Sequence, residues 1–270
     1  MEILLSIRGF NKENLIDIIK LAKSSGINGF ELPDYIALTP SESKKVKNLL
    51  SKEGIKAPVY AVNINFSQNK EISEILENSI SCAEFLGAEI INLYCVPSEK
   101  INIEKTQELL IQSIKSKIDE LSDKDIIITL ENELSSISSI ASTIKKWFSI
   151  VRSVNSPFFQ LTVDLANFIV SGEKEIFHQL NPVLPFIKHV HLKDVIPYSE
   201  KYLKIYPNHQ IFKGKKNDFI SVPIGKGIVE HEKVIEKLTQ IGYKEKFTLE
   251  TFTNLEFLNQ SLMYLRSKFP

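Results

Sequence analysis

Cysteine is nearly absent from this chain, neither sign of charge is in surplus, and no long hydrophobic run occurs. Cys82 and Cys95 are the only cysteines and do not form a Cys-x-x-Cys pair, so both read as free core thiols of a reducing compartment. Lys plus Arg and Asp plus Glu are 33 each, a balance that gives no support for a nucleic-acid footprint. No apolar segment approaches the roughly 20 residues that span a bilayer. The opening Met1-Glu-Ile-Leu-Leu-Ser-Ile-Arg8 has no basic n-region, so it does not read as a signal peptide. These absences point to a soluble, cytoplasmic protein that binds neither membrane nor nucleic acid. With 270 residues, 43% of them hydrophobic, the core needs no disulfide or metal staple.

What is present is an alternation of short apolar runs and amphipathic stretches. Strands are expected at 2–7, 28–32, 56–62, 89–94, 125–131, 158–164, 187–192 and 246–250. They are almost continuously hydrophobic, as strands buried on both faces must be. Helices are expected between them, at 12–24, 41–53, 71–86, 103–121, 138–152, 173–181, 230–240 and 254–268. Stripes such as Leu15, Ile18, Ile19 and Ala22, or Val234, Ile235, Leu238 and Ile241, repeat every three or four positions. Gly26, Gly54, Gly87 and Gly242 follow helices, and Pro40-Ser41 and Asn254 stand where helices begin. Eight such units in a chain of this length favour a closed (β/α)₈ TIM barrel over an open doubly wound sheet, with residues 1–270 forming one domain. One stretch is irregular. Segment 195–229 is far longer than a βα loop of about 2–6 residues and follows His191 directly. It reads either as a lid or substrate wall at the carboxyl-terminal mouth, or as a contact between copies of the chain in a homo-oligomer or a mobile excursion.

Four ionisable residues end strands: Ile-Ile-Ile-Thr-Leu-Glu131, Phe-Gln-Leu-Thr-Val-Asp164, Ile-Lys-His-Val-His191 and Lys-Phe-Thr-Leu-Glu250. In a barrel all four converge on the carboxyl-terminal mouth, where barrels of this kind keep their chemistry. A bare carboxylate at the end of an apolar strand needs water, a partner or a metal, because burying it alone costs several kcal/mol. Three oxygen donors and one nitrogen suit a single divalent ion: Mn²⁺, Co²⁺, Mg²⁺ or Zn²⁺. Such an ion acidifies a carbon beside a chelated carbonyl and hydroxyl, and flanking carboxylates remove and return its proton.

The same motifs carry a family resemblance. Ala22-Lys-Ser-Ser-Gly-Ile-Asn-Gly-Phe-Glu31-Leu, Leu-Glu131-Asn, Val-Asp164-Leu-Ala-Asn167, His189-Val-His191-Leu-Lys193-Asp194, Pro223-Ile-Gly225-Lys-Gly227, Ile-Gly-Tyr243 and Leu-Glu250 follow in this order. Together they resemble the sugar-phosphate isomerase/epimerase family, the xylose-isomerase-like TIM barrels that also include endonuclease IV. The resemblance implies that Glu131, Asp164, His191 and Glu250 hold the metal and that Glu131 and Glu250 exchange the substrate proton, as in ketose 3-epimerases. The expected function is therefore a metal-dependent isomerase or epimerase of a small keto-sugar, polyol or sugar acid. A dehydratase of the same superfamily and a non-catalytic sugar-binding barrel are the other readings.

Relatives commonly carry a histidine three residues after the strand-six aspartate; this chain has Asn167 there. Strands three and four end in Val62-Asn63 and Tyr94-Cys95, without the histidines that endonuclease IV uses for further zinc ions, which argues against a DNA-repair enzyme. The expected substrate-binding set is Arg8, Asn167, Lys193, Asp194 and His189; of these His189, one layer deeper than His191, reads first as a structural group, and Asp194 as one acting from behind the ligand. Arg8, one of three arginines, has Glu31 as its alternative partner. Trp147 and Phe148 read as barrel packing, the serine-rich run 134–139 as loop and helix cap, and His178, His209 and His231 as surface residues.

Overall fold

The computed structural model describes residues 2–65, 71–95, 102–134, 139–251 and 254–269. Its strands are β1 (Ile3–Ser6), β2 (Gly29–Pro33), β3 (Lys56–Ile64), β4 (Ile90–Cys95), β5 (Ile127–Glu131), β6 (Phe159–Asp164), β7 (Ile187–Leu192), β8 (Asp194–Pro197), β9 (Ile211–Phe212), β10 (Phe219–Val222) and β11 (Lys246–Leu249). The helices are α1 (Leu15–Ser24), α2 (Pro40–Lys52), α3 (Ile72–Leu86), α4 (Ile103–Lys115), α5 (Ile118–Lys124), α6 (Ile144–Val154), α7 (Leu165–Val170), α8 (Ile176–Leu180), α9 (Glu200–Ile205), α10 (His231–Gln240) and α11 (Leu255–Lys268). Strands β1 to β7 and β11 close into a parallel barrel in the order β1-β11-β7-β6-β5-β4-β3-β2. This is the (β/α)₈ barrel the alternation predicts. Among the described residues, no helix is long and apolar enough to cross a membrane.

Local chemistry sets the boundaries. Thr39 caps α2 by accepting the Glu42 N–H at 3.3 Å, with Pro40 as the first helical residue. Asn254 caps α11 through the Phe257 N–H at 3.2 Å. Gly87 ends α3 at φ 75°, a left-handed conformation that glycine adopts without a side-chain clash. The helix expected over 103–121 is two helices, α4 and α5. The Ser116 hydroxyl donates to the Ser113 carbonyl at 2.8 Å, a local bond that competes with continuation of the helix. The helix expected over 173–181 is only its second half, α8. A further helix, α7, begins immediately after Asp164, which caps it by accepting the Asn167 N–H at 3.2 Å. Ile241 lies beyond α10 and is exposed, so the stripe it was read into ends at Leu238. The serine-rich run falls mostly outside the described residues.

Segment 195–229 is not irregular. Together with Asp194 it folds into a small antiparallel sheet in the order β8-β10-β9, with α9 inserted between β8 and β9. Ile196, Ile220 and Val222 form its own apolar cluster, covered by Tyr202, Leu203 and Tyr206.

Two kinds of core result. Helices pack on the outer face of the barrel in one continuous apolar cluster, where Trp147 is fully buried and donates its indole N–H to the Leu130 carbonyl at 2.8 Å. Inside the barrel, Leu4, Val59 and Ile90 form a separate apolar plug near the amino-terminal strand ends. Above the plug the interior turns polar, although barrels of this fold usually fill it with branched apolar side chains. Asn92, Thr129, Thr162, His189 and Thr248 make one hydrogen-bonded chain across five strands. Thr129 Oγ1 meets Asn92 Oδ1 at 3.3 Å and Thr162 Oγ1 at 2.7 Å. His189 Nδ1 lies 3.2 Å from Thr162 Oγ1, and His189 Nε2 lies 2.7 Å from Thr248 Oγ1. Buried polar groups persist when their bonds are satisfied in this way.

Candidate metal centre

The next layer toward the mouth is the site. Side chains two apart on a strand point the same way, so Thr129 leads to Glu131, Thr162 to Asp164, His189 to His191 and Thr248 to Glu250. Strand register sets Asp164 beside His191 and Thr162 beside His189. Glu131, Asp164 and His191 are all buried, and each offers a ligand atom within 4.8 Å of the other two. Glu250 stands at the edge of this group, with Oε1 3.7 Å from His191 Nδ1. All four strand-end residues are thus brought to one place, three of them more tightly than the fourth.

Two cations hold the acidic side of the site. Lys193 Nζ lies 2.5 Å from Asp164 Oδ2 and 3.2 Å from Glu250 Oε2, and only 3% of its side chain is exposed. Arg8 reaches Glu250 Oε1 at 3.4 Å and lies 3.8 Å above the centre of the Tyr94 ring. Glu250, not Glu31, is therefore its carboxylate partner. Arg8 and Tyr94 also line a cavity of about 700 Å³ beside the mouth, together with Asp34, Tyr35, Asn63 and Glu74.

These contacts set the proton affinities. Burial pushes the Glu250 carboxyl up, but Lys193 with His191 and Arg8 outweigh it and hold it at about 2. Burial acts likewise on Glu131, where the His191 charge wins and the carboxyl stays below its usual range. Asp164 goes the other way: burial outweighs Lys193 and raises it. Burial would lower His191, but the Glu131, Glu31 and Glu250 carboxylates drive it well above the ordinary imidazole value. His189, one layer down, is lowered to about 3 by burial and by His191, and so stays neutral. Glu133, just past the end of β5, is raised to about 8 by burial and the Glu131 charge, which keeps it protonated at neutral pH.

Asn167 joins the centre. Its Nδ2 donates to the Asn132 carbonyl at 2.7 Å and to Glu131 Oε1 at 3.4 Å, and its Oδ1 has no hydrogen-bond partner among the described residues. Asn132 clamps the Asp164 backbone, accepting its N–H at 2.7 Å and donating to its carbonyl at 2.8 Å. Two residues of the expected substrate-binding set are held within the protein, His189 in the deeper structural position expected of it. His189 is fully buried, with both ring nitrogens spent on threonine hydroxyls. Asp194 accepts the backbone N–H groups of Val195, Gly225, Gly227 and Val229 at 2.9–3.1 Å, pinning the return of the small sheet toward α10. A Cβ on Gly227 would lie 2.0 Å from Asp194 Oδ1, which is why that position has no side chain. His231, expected at the surface, is instead buried at the start of α10 and lowered to about 4 by burial. His178 is exposed and His209 half-buried.

Sequence reading gave Glu31 only as a partner for Arg8 and missed Asn92. Glu31 Oε2 lies 2.7 Å from His191 Nε2, and Asn92 Nδ2 lies 3.3 Å from Glu131 Oε2. Glu31 was visible as a polar residue inside an apolar strand. No local signal pairs it with a histidine that lies 160 positions further along the chain.

A barrel with a carboxylate and imidazole centre at its carboxyl-terminal mouth defines the class. The particular family follows from comparison. The model of the xylose isomerase-like TIM barrel family matches residues 19–268, and the chain belongs to that family. SgbU of Haemophilus influenzae, provisionally assigned as an L-ribulose-5-phosphate 3-epimerase, is 25% identical over 254 residues, which cover 87% of this chain and 82% of SgbU. The L-ribulose-5-phosphate 3-epimerase UlaE of Escherichia coli K12 is 26% identical over 182 residues, 67% of this chain, and the match spans 56% of UlaE. Among solved structures, IOLI with a bound zinc atom superposes with a TM-score of 0.72 at 16% identity, covering 99% of this chain and 96% of IOLI. That likeness is one of fold.

Proposed function

We propose that the chain is an isomerase, a divalent-metal-dependent epimerase of a small keto-sugar. The observation that carries this reading is the gathering of Glu131, Asp164 and His191 within 4.8 Å, with Glu250 beside them. The donor set fits one ion: carboxylate oxygens and one imidazole nitrogen, with no thiolate among them. Mn²⁺, Co²⁺, Mg²⁺ and Zn²⁺ all accept such donors, and the zinc in IOLI supports a divalent ion in this fold. When bound, the ion supplies Lewis-acid polarisation of a carbonyl and a neighbouring hydroxyl, acidifying the carbon between them.

The chain's own residues do the rest. Glu131 and Glu250 stand on strands separated in the barrel by β6 and β7, so one carboxylate removes the proton and the other returns it from the opposite side. Lys193 and Arg8 lie against Glu250 and balance negative charge that develops on substrate oxygen. Asn167 offers its free Oδ1 to a substrate hydroxyl. The cavity lined by Arg8, Tyr94, Asp34 and Asn63 takes the far end of the sugar, since hydroxyls find a donor in Arg8, an acceptor in Asp34 and both in Tyr94 and Asn63.

The similarity to L-ribulose-5-phosphate 3-epimerases makes ketopentoses and their phosphates the first substrates to try. Incubation in D₂O with Mn²⁺ is expected to place deuterium on the carbon next to the carbonyl and to yield an epimer of otherwise unchanged mass, with chelator stopping both. Loss of water from the substrate would replace this reading with a dehydratase. Tight binding with no exchange at carbon would replace it with a sugar-binding barrel.

A further inference from the structure

His191 is held from both ends. Its Nδ1 faces Glu131 Oε1 at 3.1 Å and Glu250 Oε1 at 3.7 Å, toward the centre. Its Nε2 points the other way, to Glu31 Oε2 at 2.7 Å. Glu31 is itself fixed: it is 2% exposed, it lies beside Ser6 in the β1–β2 register, and its Oε1 accepts the Ser6 hydroxyl at 3.2 Å. The Asn92 amide nitrogen also lies near Nε2, at 3.4 Å, but it is a donor. Both ring nitrogens face carboxylates, which only accept, but the shorter contact, Nε2 to Glu31, lies on the side away from the centre, so Glu31 keeps the Nε2 proton and leaves Nδ1 as the nitrogen that faces an ion held by Glu131.

We propose that Glu31 is the positioning residue of the centre: it fixes the tautomer and ring plane of His191 and so sets the affinity of the site for its ion. The proposal rests on the metal-dependent reading above. Imidazole ligands are commonly oriented in this way by an acceptor on the far nitrogen, and losing that acceptor typically costs 10–100-fold in metal affinity. The same residues admit one rival. Glu31, His189 and His191 also lie within ligand distance of one another and could hold a second ion. The hydrogen bonding speaks against it. His189 Nε2 lies 2.7 Å from Thr248 Oγ1 but 3.6 Å from Glu31 Oε2, and its Nδ1 is spent on Thr162.

The test is a Co²⁺ titration of the metal-free full chain, followed by visible absorption, in wild type, Glu31→Gln and Glu31→Ala. Wild type is expected to take one Co²⁺ per chain. Glu31→Gln keeps shape and an acceptor oxygen, so its Kd should rise about 10-fold, and that of Glu31→Ala about 100-fold. In the NMR spectrum of the Co²⁺ protein, the shifted and exchangeable Nε2 proton of His191 should be present in wild type and lost to solvent exchange in Glu31→Ala. Unfolding midpoints of the metal-free chains serve as the control for folding. Unchanged Kd values with the resonance retained in Glu31→Ala would overturn the role of Glu31 and leave the metal-dependent reading standing. Two Co²⁺ per wild-type chain, with one lost in Glu31→Ala, would overturn it in favour of the second ion site. A wild-type chain that takes no Co²⁺ would overturn the metal-dependent reading, and the positioning role with it.

Discussion

Glu250→Gln is expected to slow proton exchange at the substrate carbon by about 10²–10⁴-fold, the usual contribution of a positioned acid or base. Glutamine has the shape of glutamate but neither accepts a proton under these conditions nor offers a charged oxygen to an ion. The fold should survive, because Lys193 keeps Asp164 at 2.5 Å when the Glu250 charge is gone. Deuterium incorporation in D₂O, measured beside the unfolding midpoint, separates the two effects. Wild-type exchange in Glu250→Gln would remove this residue from the proton-transfer pair.

Lys193→Met should have the largest effect on stability. The ammonium is the cation nearest both Asp164 and Glu250, whose side chains are 0% and 1% exposed. Removing one partner of a buried ion pair leaves an uncompensated charge and costs about 3–5 kcal/mol. At about 2–4 °C per kcal/mol for a domain approaching this size, the unfolding midpoint should fall by roughly 6–20 °C. A divalent ion among the same carboxylates restores positive charge, and an ion that binds only the folded chain stabilises it by mass action. Saturating Mn²⁺ should therefore raise the midpoint of Lys193→Met by more than that of wild type. Equal responses in the two chains would mean that Lys193 and the ion act on different groups.

Much of this site could be read in the sequence, because a parallel barrel converts strand-end position into spatial convergence. Glu131, Asp164, His191 and Glu250 come together for that reason alone. Of the polar layer beneath them, equally open to reading, only His189 was placed, and the three threonines were overlooked. Thr129, Thr162, His189 and Thr248 each precede a strand-end residue by two, so the period of a strand already sends both side chains inward. Glu31 and Asn92 were harder, since their partners are fixed by closure of the barrel and by strand order, which no local pattern encodes. The small sheet of β8, β9 and β10 escaped because its strands are short, one of them only two residues, and the pairing of β8 with β10 spans α9. Asp194 misled for a related reason. Its carboxylate is used on four N–H groups, three of which lie more than 30 positions away. His231 looked like a solvated helix start, and only the packing of α10 shows it buried.

The most direct test of a mononuclear centre is the metal content of the purified full chain, with Asp164→Ala as control. Asp164 supplies one oxygen of the tight group and is clamped by Asn132, so its loss should empty the site without moving the strand. About one divalent ion per wild-type chain, falling toward zero in Asp164→Ala, is the predicted result. No ion in wild type, and none retained after dialysis against Mn²⁺, Co²⁺, Mg²⁺ or Zn²⁺, would contradict the account and leave these carboxylates serving only Lys193, Arg8 and His191.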